Sequence, residues 1–436
     1  MESEFEKIGC LIRSERNKQG LTLDNLADNN ISKATISNIE RGFSNVSKEL
    51  VNYLADKLGI NLEYVSELFI KEKNELINTE ITLMNIDCLR ESNLIQEALL
   101  ELEELDISNS HPQASYYNYI AGKCHLKNGN WVKAEKHLQN CIRLDDQSNN
   151  IAAASYAELG LVYYNQNVLD KALQVTNYGL TNFIDNNTRT YVKYVLIRNK
   201  AFYLTQLGCI GEAFETVYEQ WKNINNIDHA ETKVSFYWLR ADLSRRLGME
   251  EQAINYCIQG LEIARANKLF YSIFDFWSLL GAVYLSTKEW DQAEVYLNKA
   301  MSLKDKISKE DEDKIITAYA RLGNLYLAKG QLNMAEEFIE KSVKMAENSN
   351  NTTRLTFSLL TLSDYLISQQ KFSNAISILD RVRNISISHG LKQIEHQSLL
   401  KLAECYEQEN NEKEFQKTMK QLFKVQRGNI LEEVCI

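Results

Sequence analysis

Covalent and metal chemistry usually starts from thiols and imidazoles, and this chain carries eight cysteines and six histidines. Their spacing supports neither kind of chemistry. Cys10, Cys88, Cys124, Cys141, Cys209, Cys257, Cys405 and Cys435 form no C-x-x-C pair. Most fall within apolar helical patterns, where a thiol serves as a small hydrophobe, so buried or incidental thiols are expected rather than a disulfide frame. His111, His125, His137, His229, His389 and His396 are scattered, without the spacing of a zinc site. The sequence has no glycine-rich phosphate loop and no nucleophile elbow. It reads as no enzyme, with no catalytic residue, cofactor or metal; a phosphatase-like action on a partner would carry no motif. Non-covalent recognition remains. Asparagine can bond both the N–H and the C=O of an extended peptide, and arginine and aspartate can hold its termini or charged side chains.

These side chains sit on helices. The chain has one proline, Pro112, few glycines, and abundant Leu, Glu, Lys, Ala and Gln. Proline breaks helix interiors, so its near absence predicts an all-α protein. At 436 residues it is long enough for two or more units. No stretch is long and apolar enough to cross a bilayer, and the acidic start MESEFEKIGC lacks a secretory core. A cytoplasmic protein without a membrane partner is expected. A net charge of −10 argues against unselective coating of nucleic acid.

Residues 1–70 predict five short helices. Thr22, Ser32, Ser47 and Asn61 are N-caps, each able to accept from a first-turn N–H. Leu21, Ile31, Val46 and Ile60 precede them, and Leu26, Ile36, Val51 and Val65 lie four residues after them, the pattern of the hydrophobic staple. A helix from about Phe5 to Gln19 stops at Gly20. Gly20-Leu21-Thr22, Leu26-Ala27, the run Ile36 to Gly42 and the ending Leu54 to Gly59 resemble the phage-repressor (Cro/C1, XRE) helix-turn-helix family across the whole segment. The resemblance implies that the helix from Ser32 to Arg41 enters the major groove. Lys33, Thr35, Ser37, Asn38 and Arg41 would then reach bases or phosphates, and Arg13, Ser44, Asn45 and Lys48 would contact phosphates. Leu23 stands where the family often has glutamine, so that contact is lost. Residues 1–75 hold ten basic and thirteen acidic side chains, net −3; a dimer is therefore expected to supply affinity.

From about residue 76 the chain repeats. Ala134, Ala172, Ala213, Ala253, Ala293, Ala335 and Ala375 recur every 38 to 42 residues. Twelve residues before each stands a small residue: Gly122, Gly160, Ala201, Ala241, Gly281, Gly323 and Ser363. An eighth, degenerate unit pairs Ala403 with Phe415. Small residues on both helices of a hairpin let the backbones approach. Leu159, Leu280, Leu322, Leu362 and Leu402 precede the small position, and Leu138, Val217, Leu297, Ile339 and Leu379 follow the alanine by four. The pattern resembles the tetratricopeptide repeat, with a longer period. A solenoid of about eight hairpins curves around a concave surface lined by first helices. The register places Arg198, Asn199, Phe202, Trp238, Asp242, Arg245, Asn324 and Asp364 there as candidate peptide-binding residues, while Phe202 and Trp238 serve equally well as packing.

A helix-turn-helix joined to such an array resembles the RNPP family of peptide-pheromone regulators, in its NprR-like form, over the whole chain. The resemblance implies a double-stranded DNA operator and a short signalling peptide in the concave groove. It also implies quorum sensing through a change of oligomer or domain arrangement. The expected layout is a five-helix DNA-binding domain over 1–70, a connector and atypical helical pair over 71–110, a right-handed α-solenoid over 111–427 and a tail over 428–436. Dimerisation is expected through the C-terminal repeats, including Val434, Cys435 and Ile436, to give a homodimer or higher homo-oligomer. An adaptor that holds a response regulator or another protein stays open as the alternative.

Overall fold

The computed structural model describes residues 4–43, 45–105, 107–145, 149–185, 187–307 and 312–434, with side chains described up to residue 426. Ser44, Cys435 and Ile436 lie outside the described residues, as does the side chain of Val434. Among the described residues the regular structure is entirely helical. The chain divides into two compact units, Met1–Asn85 and Ile86–Ile436.

The first unit begins with α1 (Glu4–Lys18), α2 (Leu23–Leu26), α3 (Lys33–Glu40) and α4 (Lys48–Lys57). Side-chain caps start three of its helices. Thr22 and Asn25 form a reciprocal capping box on α2, and Ser32 Oγ accepts from the Thr35 N–H. Asn61 Oδ1 accepts from the Tyr64 N–H at the start of the next helix, whereas Ser47 makes no such bond. Ile12, Leu26, Ile31, Ile36, Ile39, Leu54 and Ala55 form a buried core. The fifth helix is not short. α5 runs unbroken from Leu62 to Glu91, through what the sequence predicts as the end of one domain and the start of a connector. The reason is simple: no glycine or proline lies between Gly59 and Pro112 to stop it.

In the second unit, α6 (Ile95–Glu104) precedes eight helical hairpins. These are α7 (Ala114–Lys127) with α8 (Trp131–Leu144), α9 (Ile151–Asn165) with α10 (Leu169–Thr181), and α11 (Tyr191–Leu207) with α12 (Ile210–Trp221). Next come α13 (Ala230–Arg246) with α14 (Glu250–Ala266), α15 (Phe270–Ser286) with α16 (Trp290–Met301), and α17 (Asp313–Ala328) with α18 (Leu332–Asn348). The last two are α19 (Thr352–Ser368) with α20 (Phe372–Ser388), and α21 (Lys392–Gln408) with α22 (Glu412–Val434). All seven second-helix alanines of the repeat are fully buried. A side chain four residues further on fills the gap above the small residue of the first helix, as Leu138 does above Gly122 and Leu297 above Gly281. Neighbouring hairpins are tied in turn: Tyr163 Oη donates to Glu135 at 2.8 Å and Tyr326 Oη to Glu294 at 2.9 Å.

The array also returns on itself. Asn167, in the α9–α10 turn, donates from Nδ2 to the Asn350 carbonyl at 2.6 Å. Its Oδ1 accepts from the N–H and the Oγ1 of Thr352, at 3.1 and 2.7 Å. Asn351 Nδ2 donates to Tyr164 Oη at 3.4 Å. These bonds join hairpins more than 180 residues apart in sequence.

Candidate functional site

Two regions carry the residues selected from the sequence. The first is α3. Ile36 and Ile39 anchor it in the core, and its crossing with α1 is close, since a Cβ on Gly9 would sit 2.3 Å from the Ile39 carbonyl oxygen. Gly42 ends the helix at φ +74, with its α-carbon side against the Glu6 backbone, where only glycine fits without strain. Arg16 fixes the helix from beneath. Its guanidinium donates to both oxygens of the buried Glu40, and Nη1 donates to the Leu21 carbonyl at 2.8 Å. Sequence reasoning saw Glu40 only as part of a motif and did not assign this role.

Lys33, Arg41, Arg13, Asn45 and Lys48 are exposed, and Thr35, Ser37 and Asn38 are half-buried. Lys33 is paired with Asp24 of α2, and Thr35 Oγ1 bonds Ser32 Oγ at 2.8 Å. Arg13, Arg41 and Lys48 form no ion pair among the described residues. Two further exposed groups on this segment were not selected from the sequence: the Ala34 methyl and the Phe43 ring, which is 50 % exposed.

The second region is a cavity of about 570 Å³ in the solenoid, lined by first helices of seven consecutive hairpins. Its wall slants. On α9 it begins at Tyr164, four residues after the small Gly160. On α13 it spans Trp238, Asp242, Arg245 and Arg246, from three residues before Ala241 to five after. On α17 it has moved back to Lys314, Thr317, Arg321 and Asn324, from nine before Gly323 to one after. On α19 it lies wholly before Ser363, at Arg354, Phe357 and Leu360. Each hairpin is turned relative to the last, so successive helices cross the cavity at different heights.

This slant sorts the candidates. Phe202, Trp238, Asp242, Arg245 and Asn324 line the cavity. Arg198, Asn199 and Asp364 do not. Asn199 is 3 % exposed and donates to the Ala157 carbonyl at 3.4 Å, a bond between hairpins. Arg198 is half-buried, with an Nε that finds no acceptor. Asp364 pairs with Lys401. Phe202 packs edge-on against Tyr164, with centroids 5.2 Å apart. The Trp238 Nε1 is buried without an acceptor. Asn324 reaches across to Thr361 Oγ1 at 3.5 Å.

The charged groups are organised in pairs. Asp242 accepts from Arg245 Nη2 at 2.8 Å and from Arg246 Nε at 2.7 Å. Burial alone would raise its carboxyl pKa, but Arg246 and Arg245 outweigh that and hold it well below the usual carboxylate range. Asp242 therefore aims two guanidiniums and does not offer a free acid. Lys314 is bonded to Asp275 at 2.7 Å. Arg321 donates to Ser278 Oγ at 2.7 Å, and Arg354 donates to Thr317 Oγ1. Burial lowers the Arg321 guanidinium to about 9, and Arg245 and Arg354 push it in the same direction. Arg246, Asp275, Lys314 and Arg354 were missed because the inward stripe was followed only one turn either side of the small residue; Arg321, two residues before Gly323, lay within that stripe and was passed over.

Comparison with known proteins bears on both regions. A helix-turn-helix family model matches residues 12–65. Tetratricopeptide-repeat models match residues 234–267 and 272–348. No curated protein matches the sequence. Among solved structures, a Rap protein complexed with competence and sporulation factor superposes with a TM-score of 0.60 at 14% identity, covering 80% of this chain and 98% of that one. The apo form of RapI gives 0.46 at 13% identity, over 76% of this chain and 98% of that one. PlcR of Bacillus thuringiensis, in complex with the peptide PapR7 and DNA, gives 0.37 at 13% identity, over 70% and 99%. At these identities the likeness to the first is one of fold, a helical-repeat solenoid.

Proposed function

We propose that this chain, in which a helix-turn-helix segment is joined to a tetratricopeptide-repeat solenoid, is a DNA-binding regulator of the RNPP type whose solenoid binds a short signalling peptide. The observation that carries the reading is the concave cavity. Its lining of aromatic, amide and guanidinium groups suits an extended peptide, since amides satisfy its backbone and charged groups its side chains. Its volume of about 570 Å³ falls within the ~300–1,000 Å³ common for ligand pockets. In this reading α3 lies in the major groove with Lys33, Thr35, Ser37, Asn38 and Arg41 toward the bases. Arg13, Ser44, Asn45 and Lys48 hold the backbone. A homodimer places two α3 helices on two half-sites. The peptide acts by binding one arrangement of the chain more tightly than another, and it shifts the equilibrium only by that difference. The reading assigns the chain no catalysis.

The test is selection of genomic DNA fragments by the purified full-length protein. The expected result is enrichment of one sequence containing two related half-sites. Enrichment of none, with and without a host peptide extract, would overturn the DNA-binding reading and favour an adaptor that holds a protein partner such as a response regulator. Sedimentation of a micromolar sample as a monomer in both conditions would remove the homodimer.

A further inference from the structure

The cavity has a charge opposite to that of the protein. The whole chain has a net charge of −10, yet the cavity is lined by Arg245, Arg246, Lys314, Arg321 and Arg354 against only Asp242 and Asp275. The two carboxylates are already engaged, Asp242 by Arg245 and Arg246, and Asp275 by Lys314. Among the described residues, the Arg321 and Arg354 side chains bond the hydroxyls of Ser278 and Thr317. No carboxylate pairs with either among the described residues. The two side chains stand on adjacent first helices, α17 and α19, in the wall of the same cavity, and the charge of Arg354 disfavours that of Arg321. Cations brought together in a partly dehydrated wall repel strongly, because the local dielectric is low. Such an arrangement is relieved by an anion that reaches both.

We propose that the cavity selects peptides bearing a carboxylate, which docks between Arg321 and Arg354. The planar guanidinium fork matches a carboxylate in a bidentate manner, and Ser278 and Thr317 already orient the two forks. The rest of the lining fixes what surrounds that carboxylate. Phe202, Trp238 and Phe357 offer apolar faces, and Asn324 and Gln393 offer amides, so the ligand is an acidic peptide with uncharged, partly apolar neighbours. A basic peptide would meet the excess positive charge and be rejected. The proposal rests on the peptide-binding reading of the cavity and adds the charge class of the ligand. The carboxylate can come from an acidic side chain or from the peptide's C-terminus, and the experiment separates the two.

Four pools of random, N-acetylated heptapeptides serve as probes, with uncharged residues at the random positions. The central residue is glutamate or glutamine, and the C-terminus is free or amidated. Full-length protein is incubated with each pool, and the retained peptides are quantified by mass spectrometry after gel filtration. Pools with a carboxylate are expected to be enriched at least tenfold over the amidated glutamine pool. Enrichment that follows glutamate assigns the site to a side chain, and enrichment that follows the free terminus assigns it to the C-terminus. Arg321→Gln and Arg354→Gln are each expected to abolish the preference while retaining the amidated glutamine pool, and Arg354→Lys to restore it in part. Retention of all four pools alike, or a preference that survives both glutamine variants, overturns the carboxylate site and leaves the peptide reading standing. Retention of no pool by the wild-type chain overturns the peptide reading and the carboxylate site with it.

Discussion

The carboxylate of Asp28 accepts from four donors: the N–H groups of Asn30 and Ile31, Tyr53 Oη and Lys57 Nζ. The bond from Lys57, then those from Tyr53 and the Asn30 N–H, hold its carboxyl well below the usual carboxylate range. A depressed pKa means that the stabilisation is present above the unfolded value, about 3.9, and is lost as pH falls through the folded one. Asp28→Asn is therefore expected to lower the melting temperature of the helix-turn-helix at pH 7. The gap to wild type should narrow as pH falls below about 4, which a pH series of thermal melts checks. Residues with local partners were legible in the sequence. Thr22, Ser32 and Asn61 cap within three residues of themselves, and local chemistry can be read from spacing. Asp28 with Lys57 and Arg16 with Glu40 were not, because their partners lie 29 and 24 residues away. On the proposed DNA face, Asn38→Ala and Arg41→Ala are each expected to cost about 1–3 kcal/mol of specific affinity. Lys48→Ala should weaken all sequences alike and reduce the salt slope by about one. Fluorescence anisotropy titrations at several salt concentrations distinguish the two behaviours.

At the scale of the element, five of the hairpins balance the volumes of two side chains, while Gly160 with Thr176 and Ser363 with Leu379 do not follow that pattern. Where the first helix has glycine, as at Gly122, Gly281 and Gly323, the residue facing it is Leu138, Leu297 or Ile339, within 2.7 Å of where a Cβ would stand. Where it has alanine, at Ala201 and Ala241, the residue at the same place on the second helix is the smaller Val217 or Cys257. Gly281→Ala should thus overpack its hairpin and destabilise it by about 1–3 kcal/mol. Adding Leu297→Val should recover most of that loss. Urea unfolding of the single and double variants is the check, and equal stability of the two would dismiss the volume balance. This layer was readable from sequence because the same pair, a small residue and an alanine twelve residues on, recurs every 38 to 42 residues. The slant of the cavity wall was not, because it accumulates from small rotations between hairpins that no single repeat encodes. That is why Asn199 and Asp364 occupied the right stripe at the wrong height, and why Arg354 was overlooked nine residues ahead of its small position. The length of α5 was available in the sequence, in the absence of glycine and proline between Gly59 and Pro112, but the domain-sized expectation of five short helices overrode it.

The second unit taken whole closes on itself through polar bonds at Asn167, Asn350, Asn351, Thr352 and His389, with Gln393 packed against Gly208. Each such bond contributes only about 0.5–1.5 kcal/mol net, so the closure can open without unfolding a hairpin. Asn167 has φ +59, and glycine keeps that backbone conformation. Asn167→Gly is expected to weaken the closure by about 1–3 kcal/mol, to speed amide exchange in the turns around 166–168 and 349–352, and to leave exchange within the hairpins unchanged. Unaltered exchange in those turns would show that packing, not the asparagine, holds the array closed. The account as a whole stands on linkage between peptide and DNA. The most direct test is titration of a genome-selected operator with the full-length protein at one salt concentration, with and without a saturating peptide recovered from the heptapeptide pools. The account predicts that the peptide changes the operator Kd by about fivefold or more, and that the operator changes the peptide Kd by the same factor. An operator Kd that is identical with the cavity empty and with it saturated would contradict it.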